Sequence, residues 1–216
     1  MAAPASASRP RIGVLALQGD FREHVATLAR LDVAAFEVRT LEQLHAADGL
    51  IIPGGESTTI ARLLLAFGLR EPLRDRIASG LPVWGTCAGA ILLAERAPGL
   101  DRPTLAVLDI TVERNAFGRQ VDSFEADLKI AGLEGGPFRG VFIRAPAILE
   151  AGPGIEVLAR LEDGSIAAGR DGALLATTFH PELTDDLRVH ALFAAMVEER
   201  LGEAEGGLAR AEELSA

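Results

Sequence analysis

Residues 82–95 read PVWGTCAGAILLAE and place the one cysteine of the 216-residue chain between two glycines. The run LPVWGT before Cys87 is apolar and strand-like, whereas AGAILLAERA after it has helical spacing. Glycine adopts backbone conformations that other residues avoid and lets neighbouring segments approach closely. The stretch therefore predicts a strand, a sharp turn at Cys87 and a helix over 88–97, the local pattern of a nucleophile elbow.

The chain before this turn alternates strand-like and helix-like runs. A strand over 11–19 precedes a helix with Asp20 as its N-cap, AAFEVRT predicts a second strand, and the continuous apolar run within 48–56 is typical of a strand buried on both faces. The next helix begins near Ser57 or Thr58, either of which can cap it. This alternation predicts an α/β fold, with a parallel sheet and helices on both of its faces.

The second half of the chain lacks that alternation. Strand-like runs separated by turn residues favour antiparallel additions to the sheet: TLAVLDITVERN, RQVDSFEADLKI, FRGVFIRAPAILEA, IEVLARL, SIAAGRD and GALLATTFH. An amphipathic helix over 185–201 follows. We expect a single domain over 11–201, between a disordered leader at 1–10 and a flexible or helical tail at 202–216.

The composition excludes several functional classes. The formal net charge of −10 argues against non-specific binding to nucleic acid, and no apolar run approaches the length of a membrane span. One cysteine permits no disulfide within the chain and favours a reducing compartment, so we expect a cytoplasmic protein.

Cys87 is the first candidate catalytic residue. An elbow exposes its side chain at the carboxyl edge of the sheet, and the N-terminus of the following helix favours a thiolate. The amide of Ala88 is positioned to face a developing oxyanion. The alternative is a small buried cysteine that only packs in the core.

A candidate base lies in ATTFHPELT, where His180 and Glu182 follow an apolar strand. A thiol that attacks an amide needs a base to hold its proton, and the base needs an acceptor that fixes its tautomer. Two residues apart in an extended segment, both side chains can lie on one side, so Glu182 can accept from the ring of His180. The alternative is a pair of metal ligands, for which no third ligand is evident. We interpret the other histidines as surface or core residues: His24, His45 and His190.

The loop PGGESTT, residues 53–59, follows the buried strand. Its two glycines can turn backbone amides into the crevice at the sheet edge, or they can form a plain tight turn before a capped helix. The chain contains neither G-x-x-x-x-G-K-[ST] nor G-x-G-x-x-G, which argues against a nucleotide site.

Together these motifs resemble a known family. GTCAG with FHPE is similar to the class I (triad) glutamine amidotransferases, and LALQGDFREH, PGGESTT, ERNAFGRQVDSFEADL, VFIRAPAI and FHPELT resemble the glutaminase subunits of pyridoxal 5'-phosphate synthase, the PdxT family. The resemblance covers residues from about 11 to 200. It implies a flavodoxin-like, three-layer fold, with a twisted mixed sheet between helices.

The resemblance also implies roles for single residues. Cys87 would be the nucleophile, His180 the base and Glu182 the third member of the triad, with the amides of Gly55 and Ala88 as the oxyanion hole. A second set would bind the substrate, with an arginine for its α-carboxylate and a carboxylate or carbonyl for its ammonium group: Gly55, Glu56, Ser57, Arg114, Ile143 and Arg144.

The implied activity is hydrolysis of L-glutamine to L-glutamate and ammonia through a cysteinyl thioester. Ammonia would pass to a (β/α)8-barrel (PdxS-type) subunit that makes pyridoxal 5'-phosphate, within a large hetero-oligomer, and this chain would need neither cofactor nor metal. One alternative is a thiol hydrolase for γ-glutamyl peptides on the same fold. Two others are a stress protein with a Cys-His elbow, which Ala88 after the cysteine argues against, and a binding module in which Cys87 is incidental.

Overall fold

The computed structural model describes residues 9–114, 116 and 123–214. Residues 1–8 of the predicted leader and most of the motif ERNAFGRQ lie outside these ranges. Within them, no helix combines the length and the apolar character that a membrane crossing requires.

The first half of the chain alternates strands and helices, as predicted. Its four strands are parallel neighbours in the order β2-β1-β3-β4: β1 (Arg11–Leu15), β2 (Ala34–Val38), β3 (Gly49–Ile52) and β4 (Val83–Thr86). Five helices lie in the same half of the chain: α1 (Phe21–Arg30), α2 (Leu41–His45), α3 (Ser57–Ala66), α4 (Arg70–Ala78) and α5 (Ala88–Leu93).

The second half of the chain is mostly strand and ends in a long helix. The sheet continues from β4 in the order β12-β11-β9-β6-β5, and β10 pairs with β11. These elements are β5 (Ala94–Arg96), β6 (Leu108–Glu113), β7 (Ser123–Leu128), β8 (Phe138–Ile143), β9 (Ala147–Ala151), β10 (Glu156–Arg160), β11 (Ile166–Asp171), β12 (Leu174–Thr177) and α6 (Arg188–Leu214). The antiparallel pairs around β11 and between β6 and β9 confirm the predicted mixed sheet of an α/β fold.

The pairing of β12 positions the candidate site. Although β12 is antiparallel to β11, it runs parallel to β4, with Thr177 opposite Thr86. Parallel strands end at the same edge of a sheet, so Cys87 after β4 and His180 after β12 emerge side by side.

The hairpin of β7 and β8 is a separate two-stranded sheet, so the prediction that this segment extends the main sheet is wrong. Every second residue of β8 is buried, and its rings Phe138 and Phe142 lie 5.6 and 5.7 Å from the ring of Phe179. The ring of Phe124 stacks on Phe142 at 4.6 Å. The hairpin therefore packs an apolar face against the protein instead of pairing with a sheet edge.

Helix α5 ends at Leu93, four residues before the predicted end at Ala97. Ala94 turns to an extended conformation and pairs with Leu108, which starts β5 beside β6. Arg96 then donates hydrogen bonds to Thr111 Oγ1 and Asp109 Oδ1, both at 2.8 Å. Strand pairing thus overrides the helical spacing of AERA.

The helix starts also differ from the predicted ones. Glu56, rather than Ser57 or Thr58, caps α3, because its carboxylate accepts a hydrogen bond from the Thr58 amide at 3.2 Å. Asp20 occupies the N-cap position of α1 but makes no capping hydrogen bond with its side chain. The last helix was predicted over 185–201. It starts at Arg188, whose amide donates to Asp186 Oδ1 at 3.0 Å, and it continues to Leu214.

Buried side chains form two clusters separated by the main sheet. Along β1, Ile12 and Val14 belong to the cluster that includes Leu28 of α1 and Phe193 of α6. Leu15 belongs to the other cluster, with residues of α3, α4 and α5. Since neighbouring strand residues point to opposite faces, helices cover the sheet on both sides.

Candidate active site

The elbow at Cys87 has the geometry that its glycines predict. Cys87 has a φ of 48° and a ψ of −103°, an unusual conformation for a residue with a side chain. A Cβ on Gly85 would lie 2.4 Å from the backbone carbon of Gly89, and one on Gly89 would lie 2.0 Å from the oxygen of Ile52. The Cys87 amide donates to the Thr177 oxygen at 2.8 Å. Both glycines are therefore required by close backbone packing.

His180 and Glu182 form a buried hydrogen-bonded pair. His180 Nδ1 lies 2.8 Å from Glu182 Oε1, and the two residues are 4% and 6% exposed. Glu182 lies in a short 3-10 helix, Pro181–Leu183, rather than in the extended segment that was predicted. The amide of His180 donates to the Val141 oxygen at 2.8 Å, so β8 holds the backbone at this point.

The surroundings of His180 favour its charged form. Burial alone would lower the pKa of His180, but hydrogen bonds to Cys87 and Glu182, and the charges of both, outweigh burial and raise the pKa to about 10. The His180 imidazole therefore carries its proton at neutral pH.

Asp20, His180 and Glu182 lie close enough together to be considered as ligands of a metal ion. One ligand atom from each lies within 4.8 Å of the others. However, His180 Nδ1 is already paired with Glu182 at 2.8 Å, while Asp20 Oδ2 lies at 3.6 Å from the same nitrogen. Burial raises the pKa of the Asp20 carboxyl, and the charge of the neighbouring His180 offsets only part of this rise. The arrangement is that of a hydrogen-bonded histidine rather than of a cation site.

The PGGE loop lies directly against His180. A Cβ on Gly54 would come within 2.4 Å of His180 Cε1, and the Gly54 oxygen accepts from the Asp20 amide at 3.1 Å. Gly55 is exposed with a φ of 154°, and a Cβ there would lie 2.6 Å from Gln18 Oε1. Gln18 Oε1 also accepts from the Glu56 amide at 2.7 Å. The loop after β1 thus holds the loop after β3.

Gln18 and Asp20 were not among the predicted site residues. A usable signal existed, because both follow a buried parallel strand and so reach the same sheet edge as Cys87.

The predicted substrate-binding residues lie around this loop. Arg114 Nη2 lies 2.9 Å from Glu56 Oε1, so the structure pairs two side chains that were assigned to opposite ends of a substrate. Ser57 is buried at the start of α3. On the other side of the site, the Ile143 oxygen lies 4.0 Å from Cys87 Sγ, and Arg144 is exposed with a φ of 44°.

Two histidines that were interpreted as surface or core residues lie behind the candidate triad. His24 and His190 are fully buried, and His24 Nε2 is 3.4 Å from Glu182 Oε2. His45 is exposed on α2. The sequence offered no signal for the first contact, because α1 and the Glu182 segment meet only in the folded chain.

An α/β sheet that presents a thiol, an imidazole and a carboxylate at adjacent strand ends has the architecture of a cysteine-dependent amide hydrolase. The model of the SNO glutamine amidotransferase family matches residues 14–199. The chain belongs to this family.

Named relatives and a solved structure agree with this assignment. The chain is 60% identical over 198 residues to a protein of Acidothermus cellulolyticus, which covers 88% of this chain and 95% of the relative. It is 57% identical over 187 residues to a protein of Carboxydothermus hydrogenoformans, and the match covers 87% of this chain and 97% of that relative. Both relatives are named pyridoxal 5'-phosphate synthase subunit PdxT. A solved structure described as a glutamine amidotransferase is 52% identical, with a TM-score of 0.82, covering 87% of this chain and 98% of its own.

Proposed function

We propose that this protein is the glutaminase subunit of a pyridoxal 5'-phosphate synthase. It hydrolyses L-glutamine to L-glutamate and ammonia, and the ammonia is used to build pyridoxal 5'-phosphate. The observation that carries the proposal is the buried arrangement of Cys87, His180 and Glu182, with Cys87 and His180 after the adjacent parallel strands β4 and β12 and with Glu182 2.8 Å from His180. The names of the PdxT relatives support the link to pyridoxal 5'-phosphate synthesis.

The residues divide the reaction into two steps. The Cys87 thiolate attacks the side-chain carbonyl carbon of glutamine, and the amides of Gly55 and Ala88 stabilise the oxyanion. When the C–N bond breaks, His180 gives its proton to the departing nitrogen, which leaves as ammonia, and the γ-glutamyl group remains on Cys87 as a thioester. His180 then takes a proton from water, the hydroxide attacks the thioester, and glutamate and the thiol are released. Glu182 orients the imidazole throughout.

Substrate binding uses the opposite charges of Arg114 and Glu56. The guanidinium of Arg114 binds the α-carboxylate of glutamine, and Glu56 or the Ile143 oxygen binds its ammonium group. Because Arg114 and Glu56 pair directly at 2.9 Å, glutamine binding replaces this ion pair with contacts to the carboxylate and ammonium groups of the substrate. Gly55, Ser57 and Arg144 complete the substrate site.

The partner in this proposal is a (β/α)8-barrel (PdxS-type) synthase subunit, in a cytoplasmic hetero-oligomer whose glutaminase domain spans 11–201. Ammonia released into water at neutral pH is protonated and loses its nucleophilicity, so direct transfer to a synthase is an advantage. Ile143 and Leu183, next to Arg144 and Glu182, are 41% and 43% exposed. Large apolar side chains at the rim of a site are suited to contact with a partner.

The test measures ammonia and glutamate released from L-glutamine, with and without the purified barrel subunit. Release that depends on Cys87 supports the proposal. Cleavage of γ-glutamyl peptides without ammonia release from glutamine would instead establish the thiol hydrolase.

A further inference from the structure

A buried pair of histidines lies behind the candidate triad. His24 of α1 and His190 of α6 are fully buried, and His24 Nδ1 is 2.9 Å from His190 Nε2. On its other side, His24 Nε2 lies 3.4 Å from Glu182 Oε2 and 3.3 Å from Thr86 Oγ1. Thr86 precedes Cys87, so this pair contacts both segments that carry the triad.

The hydrogen-bond capacity of these groups decides which ring nitrogens carry protons. Glu182 uses Oε1 for His180, and its buried Oε2 makes no hydrogen bond to any residue that the structure describes, although His24 Nε2 lies 3.4 Å away. A buried carboxylate oxygen needs a donor, and a neutral imidazole offers one N–H. If His24 carries its proton on Nε2, it donates towards Glu182 and accepts from His190 through Nδ1. The opposite tautomer would leave Glu182 Oε2 without a donor and His190 Nδ1–H without an acceptor among the described residues.

We propose that His24 is a positioning residue of the proposed glutaminase: its Nε2–H holds Glu182 Oε2, which keeps Oε1 on His180, and His190 fixes the tautomer of His24. Burial, with the nearby His190 and His180, places the pKa of His24 well below its usual value, and burial lowers the pKa of His190 to about 3. Both rings are therefore neutral, so each has one N–H group that donates and one nitrogen that accepts. Trp84, whose ring centroid is 4.9 Å from that of His190, packs against the pair and limits its rotation.

This inference rests on the proposed function, and a matched pair of variants tests it. In His24→Gln the side-chain amide nitrogen can occupy the place of Nε2 and donate to Glu182. In His24→Asn the shorter amide reaches only the place of Nδ1, so the contact with His190 is retained and the contact with Glu182 is lost. Both are neutral, polar and smaller than histidine, so a purely structural role would make them similar. His45→Asn, on exposed α2, is the control.

We expect His24→Asn to lower kcat by about 10- to 100-fold, the range for losing a hydrogen bond to a charged group, with KM nearly unchanged. His24→Gln should recover most of that loss. A second measurement is the rate at which iodoacetamide alkylates Cys87, the one cysteine in the chain, because this rate reports the thiolate without glutamine. It should fall in His24→Asn and remain near the wild-type value in His24→Gln.

Equal kcat values and equal alkylation rates in the two variants would overturn the proposal. So would a loss of activity that appears as a raised KM or follows a lower melting temperature. If wild-type protein with its partner does not hydrolyse glutamine, the proposed function fails, and the alkylation rates still decide whether His24 acts on the triad.

Discussion

At the scale of single residues, the protonation of His180 is central to the chemistry proposed at Cys87. Burial lowers the pKa of His180, but hydrogen bonding of its ring to Cys87 and to the accepting carboxylate of Glu182, with their charges, outweighs burial and raises the pKa to about 10, so the imidazole stays protonated. The charge on His180 depends on both of these neighbours. Single substitutions should therefore have unequal effects that reveal the role of each residue.

Cys87→Ala should abolish glutamine hydrolysis, with a loss of several orders of magnitude, because the covalent step disappears. The fold and partner binding should persist, since Cys87 is a small side chain at a turn held by backbone contacts. The measurement is glutamate release, with pyridoxal 5'-phosphate synthesis from added ammonium salt as the control for an intact complex. Residual turnover within about tenfold of wild type would refute the nucleophile assignment.

Glu182→Gln should shift the pH dependence of the reaction. Because the pKa of His180 is raised to about 10, the imidazolium that protonates the leaving nitrogen persists up to that pH and is lost above it. Removing the carboxylate lowers the pKa of His180, so the alkaline limb of kcat/KM moves to lower pH. His180→Asn should be the more damaging change, because it removes proton transfer itself. An alkaline limb that stays in place in Glu182→Gln would contradict the pairing.

At the scale of the elements, the elbow depends on three segments in backbone contact. The start of α5 lies so close to β3 and β4 that neither Gly85 nor Gly89 has room for a Cβ. The unusual φ and ψ of Cys87 are held by this packing and by the amide hydrogen bond to Thr177. Any displacement of these segments would therefore move Cys87, the proposed nucleophile.

Gly89→Ala should destabilise the protein by about 1–3 kcal/mol and lower kcat, because its Cβ would lie 2.0 Å from the Ile52 oxygen and must displace backbone. The matched control is Gly202→Ala in α6, where an added Cβ has no neighbour within 4 Å. That change should leave activity unchanged and raise stability by about 0.5–1 kcal/mol, the usual helix preference for alanine. Denaturant unfolding and glutaminase assays compare the two, and an equal response would refute the packing argument.

At the scale of the whole molecule, the site lies where separate loops meet. Gln18, in the loop after β1, accepts from the Glu56 amide next to Gly55, and the far wall of the site comes from the hairpin of β7 and β8 through Ile143. A partner that contacts this edge can favour one orientation of the Gly55 peptide over another.

The barrel subunit should therefore activate the isolated chain. Rotation of the Gly55 peptide exchanges an amide for a carbonyl at the oxyanion, and one missing donor costs about 10² to 10³ in rate. Glutamate production by the chain alone, then with a molar excess of the barrel subunit, measures the difference. Gly55→Val should stay slow in both, because its Cβ would meet Gln18 Oε1 at 2.6 Å and Gly19 Cα at 3.0 Å. Equal wild-type rates with and without the partner would exclude this gating.

Local sequence determined the parts of this protein that depend on neighbours in the chain. The apolar run and the glycines around Cys87 specify a strand and an elbow. A strand buried on both faces requires apolar residues, and a close approach of two backbones requires glycine, so both features can be read from the local sequence. The parallel strands of the first half follow for the same reason. The set of motifs also indicated the family, and the family model that matches residues 14–199 confirms it.

Only the tertiary structure decided the features that join distant segments. The parallel pairing of β12 with β4, the separate hairpin of β7 and β8, the ion pair of Arg114 with Glu56 and the contact of His24 with Glu182 each join residues far apart in the chain. Hydrophobic periodicity shows that a residue is buried but not which residue it meets. His24 and His190 therefore resembled ordinary helix residues until folding placed them behind the candidate triad, where a buried carboxylate needs a donor.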